Sequence, residues 1–564
     1  MKNNVLKYFG VILFFAAASI KAKEEAHVSN NKKKRYDYIV VGGGAAGCII
    51  ARKLSDDFSK SVLLLEAGGD YTNDPITLDP NWLDQANELL ADPRFAITYP
   101  VAAGFLAFQL YSEGRELGGG AAHNFLVTVR GTPSIYDEWA AITGNSNWSY
   151  YGNVLNLMLN LENYTPDGTI ANPAERGVGG PISVTQSAPL APFPGGFLDC
   201  LNAVTLTPFV SDYNDPASGD IGISAVQQFI TSGVGSRRSF SAYEFINPVI
   251  DANGKGIGGR KLTVITNAQV LDIRINNDGS ATSLHYTVRN NERPEVEYEI
   301  VKASLKKHTG KLILAAGSVQ TPRLLLQSGV GPAADIAAIG LPVVLDSPNV
   351  GQNLQCQYGS AAILFGDSTI PYGASAYIDG YPFMANDGVR RMELLSLPFG
   401  GPVFETLPFI TNPASRGSVT LTTSNPFILP KVDIGLFNDG SVSTQGTDAY
   451  LQVSFYKIMQ QVATCMGGAV LYPTPADYAT DDTLLAAAMN KMTIQSHIVG
   501  TCKMGTDISN GVVDGNLKVF GLNNVYIGDN SVQPETINGN TCYPAYIIAL
   551  VLCQVLGVPT PPAL

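Results

Sequence analysis

Charge is the first property that this sequence has little of. Charged residues make up 15% of the 564 residues, against about 25% in a typical globular protein. Acidic residues outnumber basic ones, and the formal net charge is −12 at pH 7. This acidic surplus disfavours binding to nucleic acids and electrostatic docking on anionic membranes. The charge leaves the binding of an uncharged small molecule open.

Cysteine is also scarce. The seven cysteines are scattered along the chain, with no CxxC pair and no spacing typical of a metal site. No metal is therefore expected, and a chain of this length can bury enough apolar surface to fold without disulfides. The odd number leaves at least one cysteine unpaired within the chain. We expect most of them to be small, buried apolar side chains.

No hydrophobic run is long enough for a membrane span, which takes about 20 residues. The N-terminal run Tyr8–Ile20 covers 13 residues, follows Lys2 and Lys7, and ends near small residues. This pattern is typical of an export signal, so residues 1–22 are predicted to be a signal peptide and the protein to be periplasmic or secreted. A second run, Ala545–Gly557, is predicted to be a buried helix.

Glycine, by contrast, is abundant, with 57 residues, a larger share than the usual one of about 7%. The first glycine cluster lies between the apolar run Tyr36–Val41 and the stretch Cys48–Leu54, which is followed by Ser61–Glu66. We predict a strand, a glycine turn, a helix and a second strand in this order. That order is the pattern of a dinucleotide-binding unit, in a chain long enough for two or more domains.

Each glycine of this turn has a predicted role. Gly42 permits the tight turn, Gly44 lets the backbone approach a pyrophosphate, and Gly47 lets the helix pack on the strand. The phosphates are expected at the helix N-terminus, where free N–H groups and the helix dipole favour anions. Glu66 ends the second strand, where it is placed to bond the adenosine ribose. Its negative charge disfavours the 2′-phosphate of NADP.

Further motifs narrow the choice of dinucleotide. They are Gly114–Gly131, Gly317–Gly331, His497–Gly505, Asp529–Ser531 and Gly539–Thr541. In order and spacing, these blocks and the first cluster resemble the glucose–methanol–choline (GMC) oxidoreductases. The resemblance runs from about Tyr36 to the C-terminus. It is weakest between about 165 and 224 and between 360 and 411.

The resemblance implies FAD as the cofactor. Gly42, Gly44, Gly47 and Glu66 are expected to hold the ADP half, and the backbone of Val270 to meet the adenine. The second glycine block is expected to pass the pyrophosphate and the flavin, and Asp529 to lie near the ribityl and phosphate region. The other residues assigned to the cofactor are Arg115, Gly118, Gly119, His123, Asn124 and Gly317.

The resemblance also implies a mixed α/β fold. A Rossmann-like FAD-binding domain is expected to be interleaved with a substrate domain built on an antiparallel sheet. The predicted FAD domain comprises residues 36–163, 225–332 and 493–564. The predicted substrate domain comprises 164–224 and 333–492, including an alternating strand over Ser415–Thr423.

Histidine is scarce enough to limit the search for a catalytic base. Of the five histidines, His27 lies in the leader, His285 in a predicted strand and His308 in a polar turn. Only His123 and His497 fall within cofactor-site blocks. Alcohol oxidation near pH 7 needs a group that accepts the hydroxyl proton as hydride leaves carbon. His497 matches the family's catalytic histidine; a histidine merely packed beside a glycine turn is the alternative.

Asn540 matches the family's second catalytic position, where its amide is expected to bond the substrate oxygen. The alternative is an asparagine whose side chain hydrogen-bonds only within its own turn. Two departures from the family pattern bear on the chemistry. Thr541 stands where the family usually has proline, and Cys356 and Gln357 stand where it has an Asp-His pair. Reduced or altered chemistry is therefore one predicted outcome.

His123, directly before Asn124, resembles the histidine that some family members link covalently to the 8α-methyl carbon of the flavin. Neutral imidazole is a competent nucleophile, and the glycines of the loop would bring it close to the ring. A noncovalent histidine packed near the dimethylbenzene edge is the alternative, and both stay open.

The resemblance as a whole implies an FAD-dependent oxidoreductase that acts on the CH–OH group of an alcohol. His497 is expected to take the hydroxyl proton while the carbon passes hydride to flavin N5, with oxygen or another acceptor receiving the electrons. Two alternatives stay open: a lyase that cleaves cyanohydrins with bound FAD, and a flavin-binding protein without turnover. The sequence leaves the identity of the alcohol undetermined.

Overall fold

A computed structural model describes residues 34–81, 92–103, 106–166, 168, 172–186, 196–218, 222–289, 298–366, 374–379, 391–398 and 402–559. The predicted signal peptide, residues 1–22, lies outside these residues, as does His27. None of the helices in the described ranges is both long and apolar enough to cross a membrane. Parallel and antiparallel sheets occur together with helices, which confirms the predicted mixed α/β class.

A parallel sheet forms the centre of the nucleotide-binding region. Its strands, in spatial order, are Leu262–Ile265, Val62–Leu65, Tyr38–Val41, Lys311–Leu314 and Val525–Ile527. These strands are nearly continuous aliphatic runs, as expected for a parallel sheet covered on both faces. Because the strands are parallel, Gly42, Glu66 and Asp529 follow their carboxyl ends at one edge of the sheet.

Two helices that pack against each other complete this core. They are Ala45–Leu54, which follows the first strand, and Cys542–Val555 near the C-terminus. Ile50 and Ile547 have no exposed surface, and full burial of such a side chain contributes about 1.5–3 kcal/mol. Both helices begin three residues before their predicted starts.

A mainly antiparallel sheet forms a second layer with its own hydrophobic core. Its strands are Ala469–Tyr472, Ala362–Phe365, Val403–Ile410, Arg391–Pro398, Ala374–Asp379 and Gly222–Ala225, with Tyr358–Ser360 and Met492–Ile494 paired beside them. The helix Asp448–Cys465 packs on this sheet and on the helix Phe197–Thr205.

A disulfide joins those two helices. Cys200 and Cys465 are bonded with their Cα atoms 5.7 Å apart, although 265 residues separate them in sequence. The sequence analysis did not predict this bond, because nothing local to either cysteine indicates its partner. Of the remaining cysteines, Cys48, Cys356, Cys502 and Cys553 are buried and unpaired, as expected for small apolar side chains.

A smaller sheet connects the two predicted domains. Its strands, in spatial order, are Ser418–Thr420, Lys431–Asp433, Ala96–Ala103 and Leu106–Gly114. The strand predicted over Ser415–Thr423 is therefore too long. Its partner strand has only three residues, and the N–H of Ser415 bonds the Asp448 carboxylate at 2.9 Å instead of a strand.

The remaining elements surround these sheets. The other strands are Arg35–Tyr36, Tyr298–Leu305, Ala281–Arg289 and Val270–Ile275 in one sheet, Glu162–Thr165, Ile182–Gln186 and Gln227–Gln228 in another, and the pair Val330–Gly331 and Leu345–Asp346. The other helices are Pro75–Leu78, Gly120–His123, Pro133–Thr143, Ser146–Trp148, Tyr150–Val154, Leu155–Leu161, Pro216–Ser218, Ala242–Ile246, Asn247–Val249, Gly317–Gln327, Ala333–Ala338, Asp477–Ala479, Asp481–Asn490 and Asn530–Val532.

Candidate active site

The first glycine turn is constrained by close backbone contacts. Gly42 has a φ of +97°, and a Cβ there would overlap the carbonyl oxygen of Ala315. A Cβ at Gly47 would overlap the carbonyl oxygen of Gly42, so glycine lets the helix approach the turn. A Cβ at Gly44 would meet nothing nearer than the Cα of Gly119, at 3.9 Å. Gly44 therefore leaves room beside its backbone for a bound group.

The N-terminus of the helix Ala45–Leu54 fits a phosphate. Ala45 and Ala46 line a cavity, the first turn carries no acidic side chain, and Gly44 provides no side-chain cap. The N–H groups of the first helical turn are therefore available to an anion, and the helix dipole favours its charge.

Glu66 fixes the geometry of this turn. Its Oε2 accepts the N–H of Gly43 at 2.7 Å, and its Oε1 accepts the N–H of Gly68 at 2.8 Å. Burial raises the pKa of the carboxyl, while the two N–H bonds oppose that effect. Glu66 also lines the cavity. The same carboxylate thus organises the loop and presents an acceptor to a ligand.

The second glycine block packs directly on the first. The N–H of Gly118 donates to the carbonyl of Gly43 at 2.7 Å, and a Cβ at Gly119 would lie 2.8 Å from the Cα of Gly44. Asn124 ends the short helix Gly120–His123, and its Oδ1 accepts the N–H of Leu126 at 3.0 Å. Two loops about 75 residues apart in sequence thus form one wall of the cavity.

Asp529 lies beyond the edge strand Val525–Ile527. One carboxylate oxygen accepts the N–H of Gly317 at 3.0 Å and the hydroxyl of Thr321 at 2.6 Å. The other accepts the N–H of Ser531 at 2.9 Å. Burial raises the pKa of Asp529, and these bonds act in the opposite direction. The carboxylate therefore joins the last strand to the helix Gly317–Gln327.

Val270 and Arg115 line the same cavity. The carbonyl of Val270 accepts a hydrogen bond from Arg323 at 3.1 Å, which fixes this backbone at the start of its strand. The N–H of Arg115 donates to the carbonyl of Phe95 at 2.7 Å. These two hydrogen bonds fix the backbone of both residues at the cavity wall.

His497 lies at the other end of the cavity. Its Nδ1 is 2.8 Å from Oε1 of Gln357, 140 residues away in sequence. The amide nitrogen of Gln357 donates to the carbonyls of Thr411, Ile537 and Gly539 at 3.0, 3.1 and 2.9 Å. Since that side of the amide faces only acceptors, its oxygen faces His497. Burial lowers the pKa of His497 to about 4.

Asn540 lies beside this histidine. Its Nδ2 is 3.5 Å from Nε2 of His497, and its Oδ1 has no hydrogen-bond partner among the residues that the structure describes. The carbonyl of Thr541 accepts a hydrogen bond from Nδ2 of Asn530 at 2.8 Å. This bond holds the chain after Asn540 where the family usually has proline.

His123 also lines the cavity, with 5% of its surface exposed. Its Nδ1 lies 3.6 Å from Oε1 of the buried Glu116. A Cβ at Gly114 would overlap Cε1 of His123, so the glycine makes room for the imidazole.

A single cavity of about 740 Å³ brings most of the predicted residues together. The predicted residues that line it are Gly42, Gly44, Glu66, Arg115, Gly119, His123, Asn124, Val270, Gly317, His497, Asp529 and Asn540. Gly47 and Gly118 lie behind this surface, where they allow the close packing described above.

Three residues of the site were not assigned by the sequence analysis: one lines the cavity and two bond residues that line it. Gln357 had been noticed only as a departure from the family pattern, although its place in that block indicated a position near the site. Glu113 lines the cavity one residue before the second glycine block, and burial raises its pKa to about 7. Thr321 bonds Asp529 from the turn after Gly317. Glu113 lies outside the motif blocks, and Thr321 lies in the block Gly317–Gly331, of which only Gly317 had been assigned a role.

The comparison with protein families agrees with this geometry. Two GMC oxidoreductase family models match the chain, one over residues 36–359 and the other over residues 413–549. This chain belongs to the GMC oxidoreductase family. It is an FAD-dependent enzyme acting on the CH–OH group of alcohols, as predicted.

Several GMC oxidoreductases are similar over nearly their whole length. The alcohol dehydrogenase [acceptor] of Pseudomonas putida is 28% identical, over 89% of this chain and 92% of its own. Pyridoxine 4-oxidase of Microbacterium luteolum is 27% identical, over 87% and 94%. The crystal structure of pyridoxine 4-oxidase from Mesorbium loti matches with a TM-score of 0.77 and 22% identity, covering 93% of this chain and all of that one. These relatives are oxidases and dehydrogenases, which favours oxidation over the lyase alternative.

Proposed function

We propose that His497 is the general base of this oxidoreductase, acting through Nε2. The observation that carries the proposal is the hydrogen bond between His497 Nδ1 and Gln357 Oε1. An amide oxygen only accepts, so Nδ1 must carry the proton and Nε2 the lone pair. Nε2 is the nitrogen near Asn540.

The protonation state of His497 supports the same role. A pKa of about 4 keeps the imidazole neutral at physiological pH, and only the neutral form can accept a proton. Burial is the cause, because the enclosed site disfavours the charged ring. Gln357 carries no charge and therefore orients the ring without raising its pKa.

Asn540 is proposed to orient the alcohol. Its Nδ2 lies 3.5 Å from His497 Nε2, so one hydroxyl group placed between them can accept from the amide and donate to the imidazole. The amide then stabilises the oxygen as it loses its proton. FAD, when bound, supplies the acceptor for the hydride that leaves the carbon.

The apolar part of the cavity lining favours an apolar alcohol. Phe125, Leu407, Phe409 and Ile494 line it together with the catalytic residues. Two of the relatives described above are named for pyridoxine, an alcohol with an aromatic ring. We therefore propose an uncharged alcohol with an aromatic or apolar body as the substrate class.

Anaerobic reduction of the flavin tests this function. Holoenzyme mixed with a panel of aromatic, aliphatic and cationic alcohols is expected to lose its flavin absorbance fastest with uncharged aromatic alcohols. Fastest reduction by a cationic alcohol would contradict the substrate class. Cyanide release from a cyanohydrin without bleaching would support a lyase, and no reaction in either assay would support a binding protein without turnover. Readmitting oxygen or a dye then identifies the electron acceptor.

We propose also that the flavin is attached covalently through His123. The residue lines the cavity in the loop predicted to pass the flavin, and Gly114 makes room for its ring. Precipitation of the wild-type holoenzyme with acid tests this. We expect the flavin to stay with the protein, on the peptide that contains His123. Complete release of free FAD would contradict it.

Export is proposed from two independent features. The N-terminal sequence has the pattern of a signal peptide, and the Cys200–Cys465 disulfide is typical of oxidising compartments. Fractionation of the producing cells with N-terminal sequencing of the mature protein tests this. An intact Met1 on cytoplasmic protein would contradict it.

A further inference from the structure

Glu116 is a buried carboxylate that the proposed reaction does not use. Its side chain has no exposed surface, and its Oε1 lies 3.6 Å from Nδ1 of His123. Within the described residues, neither carboxylate oxygen has a hydrogen-bond partner, and neither does Nδ1. A buried polar group without a partner costs about 1–3 kcal/mol. The acceptor and the donor are therefore a matched pair, held slightly beyond hydrogen-bond length.

The backbone holds Glu116 in this position. Its carbonyl accepts the N–H of Gly119 at 2.8 Å, and the residue forms a parallel bridge with Gly69. Two residues earlier in the sequence, Gly114 leaves the gap that the His123 ring fills. Glu116 and His123 thus face each other across one tight loop, because Gly119 turns the chain between them.

The other nearby charge is already engaged. Arg238 is buried and acts electrostatically on Glu116. Its guanidinium donates to the carbonyl of Thr77 at 3.2 Å and to Oδ1 of Asn124 at 2.6 Å. It also donates to the carbonyl of Asn124 at 2.8 Å. These bonds direct the arginine to Thr77 and Asn124, and the carboxylate of Glu116 pairs with His123.

We infer that Glu116 positions His123 for covalent attachment of the flavin by accepting the Nδ1 proton. This inference rests on the covalent attachment proposed above. His123 lines the cavity while its Nδ1 is enclosed beside Glu116, so Nε2 is the nitrogen left for the cavity. With the proton held on Nδ1, the lone pair lies on Nε2, where a nucleophile is needed. Glu116 is a positioning residue, since it acts through His123.

The attachment balances as an oxidation of the methyl group. One C–H bond of the 8α-methyl group breaks and one bond forms between Nε2 and that carbon. Two protons leave, one from the methyl carbon and one from Nδ1 of His123, for which Glu116 is the nearby acceptor. The two electrons enter the flavin ring and pass to dioxygen, which with two protons becomes hydrogen peroxide.

The test measures the covalent attachment of FAD rather than the turnover of an alcohol. Protein produced without flavin is mixed with FAD in air, and samples are denatured over time and examined by intact mass. The linked form is heavier by one FAD less two hydrogens. We expect Glu116→Gln to slow linkage at least about tenfold, the usual scale for loss of a residue that orients a histidine. His123→Ala should show none.

Two controls separate positioning from folding. Linkage rates are compared at saturating FAD, and FAD titrations in the His123→Ala background, with and without Glu116→Gln, give the concentration that saturates each protein. Glu116→Asp, which keeps the carboxylate, should restore part of the linkage rate. Linkage of Glu116→Gln at the wild-type rate would overturn the inference, as would wild-type protein that never links FAD. Neither result bears on alcohol-driven flavin reduction, which tests the proposed function separately.

Discussion

The two ends of the cavity differ in how far apart their main residues lie in the sequence. The end predicted for adenosine is centred on one short stretch, where Gly42, Gly44 and Glu66 lie inside a single strand–turn–helix–strand unit. The catalytic end is formed by side chains from distant parts of the chain. Gln357 and His497 are 140 residues apart, and His497 and Asn540 are 43 apart.

This difference explains where the sequence departs from its family. The departures noted at Gln357 and Thr541 both fall at the catalytic end, where side-chain hydrogen bonds hold the geometry. Gln357 bonds His497, and Asn530 holds the carbonyl of Thr541. At the adenosine end a Cβ at Gly42 or Gly47 would overlap a carbonyl oxygen, and no other side chain can relieve that overlap.

The largest effect is expected from removing the proposed base, His497. His497→Ala is expected to slow flavin reduction by alcohol about 10²–10⁴-fold, the usual contribution of general base catalysis. The dissociation constant of FAD should stay unchanged, because the adenosine end is untouched. Stopped-flow reduction measures the first effect, and a flavin titration in a His123→Ala background, which keeps binding reversible, measures the second. Near-normal reduction would remove His497 from the mechanism.

Glu66→Ala should produce the opposite pattern. The loss of a charged acceptor costs about 1.5–3 kcal/mol, or about 10–150-fold in the dissociation constant of FAD. For this measurement each variant also carries His123→Ala, so that binding stays reversible. Flavin reduction at saturating FAD should remain near normal, since Glu66 lies at the other end of the cavity. If reduction falls while FAD affinity holds, the division between the two ends is wrong.

Gln357 allows a smaller and more specific change. Because the His497 pKa is about 4, the alcohol kcat/KM of the wild type should stay level from neutral pH down to about pH 5. Gln357→Glu places a carboxylate on Nδ1, which stabilises the imidazolium and raises that pKa. The pH below which kcat/KM falls should therefore rise by a unit or more. Gln357→Leu is the uncharged control, which should lower the rate without raising the pH below which kcat/KM falls. If the pH dependence of kcat/KM in Gln357→Glu matched that of the wild type, the residue would not act on His497.

Glu113 should affect stability rather than chemistry. Its pKa of about 7 in the folded protein lies above the ordinary value of 4.5, so folding favours its neutral form. The stability of flavin-free protein should therefore fall as pH rises from about 4.5 to 7, by at most about 3 kcal/mol from this group. Glu113→Gln should be less sensitive to pH over that range in urea unfolding. Equal slopes for wild type and variant would count against this.

Local sequence was sufficient for the nucleotide-binding unit. The strand, turn, helix and second strand around Gly42 follow from glycine geometry and from aliphatic runs, which act over a few residues. The fold class, the family and the FAD cofactor followed from motifs of this kind, and the comparisons confirm them. Even His497 was singled out, because only two of five histidines fall in such motifs.

Tertiary structure decided which side chains meet. The partner of His497 is the amide of Gln357, which the sequence analysis noted only as a departure from the family pattern. The partner of Cys200 lies 265 residues away. A role for Glu116 follows only from its contact with His123. Hydrogen bonds and disulfides depend on distances of a few ångströms between side chains. Spacing along the chain does not set those distances, because the packing of the strands and helices that carry these side chains decides which of them meet. The chemistry of the catalytic end therefore emerged only from the folded protein.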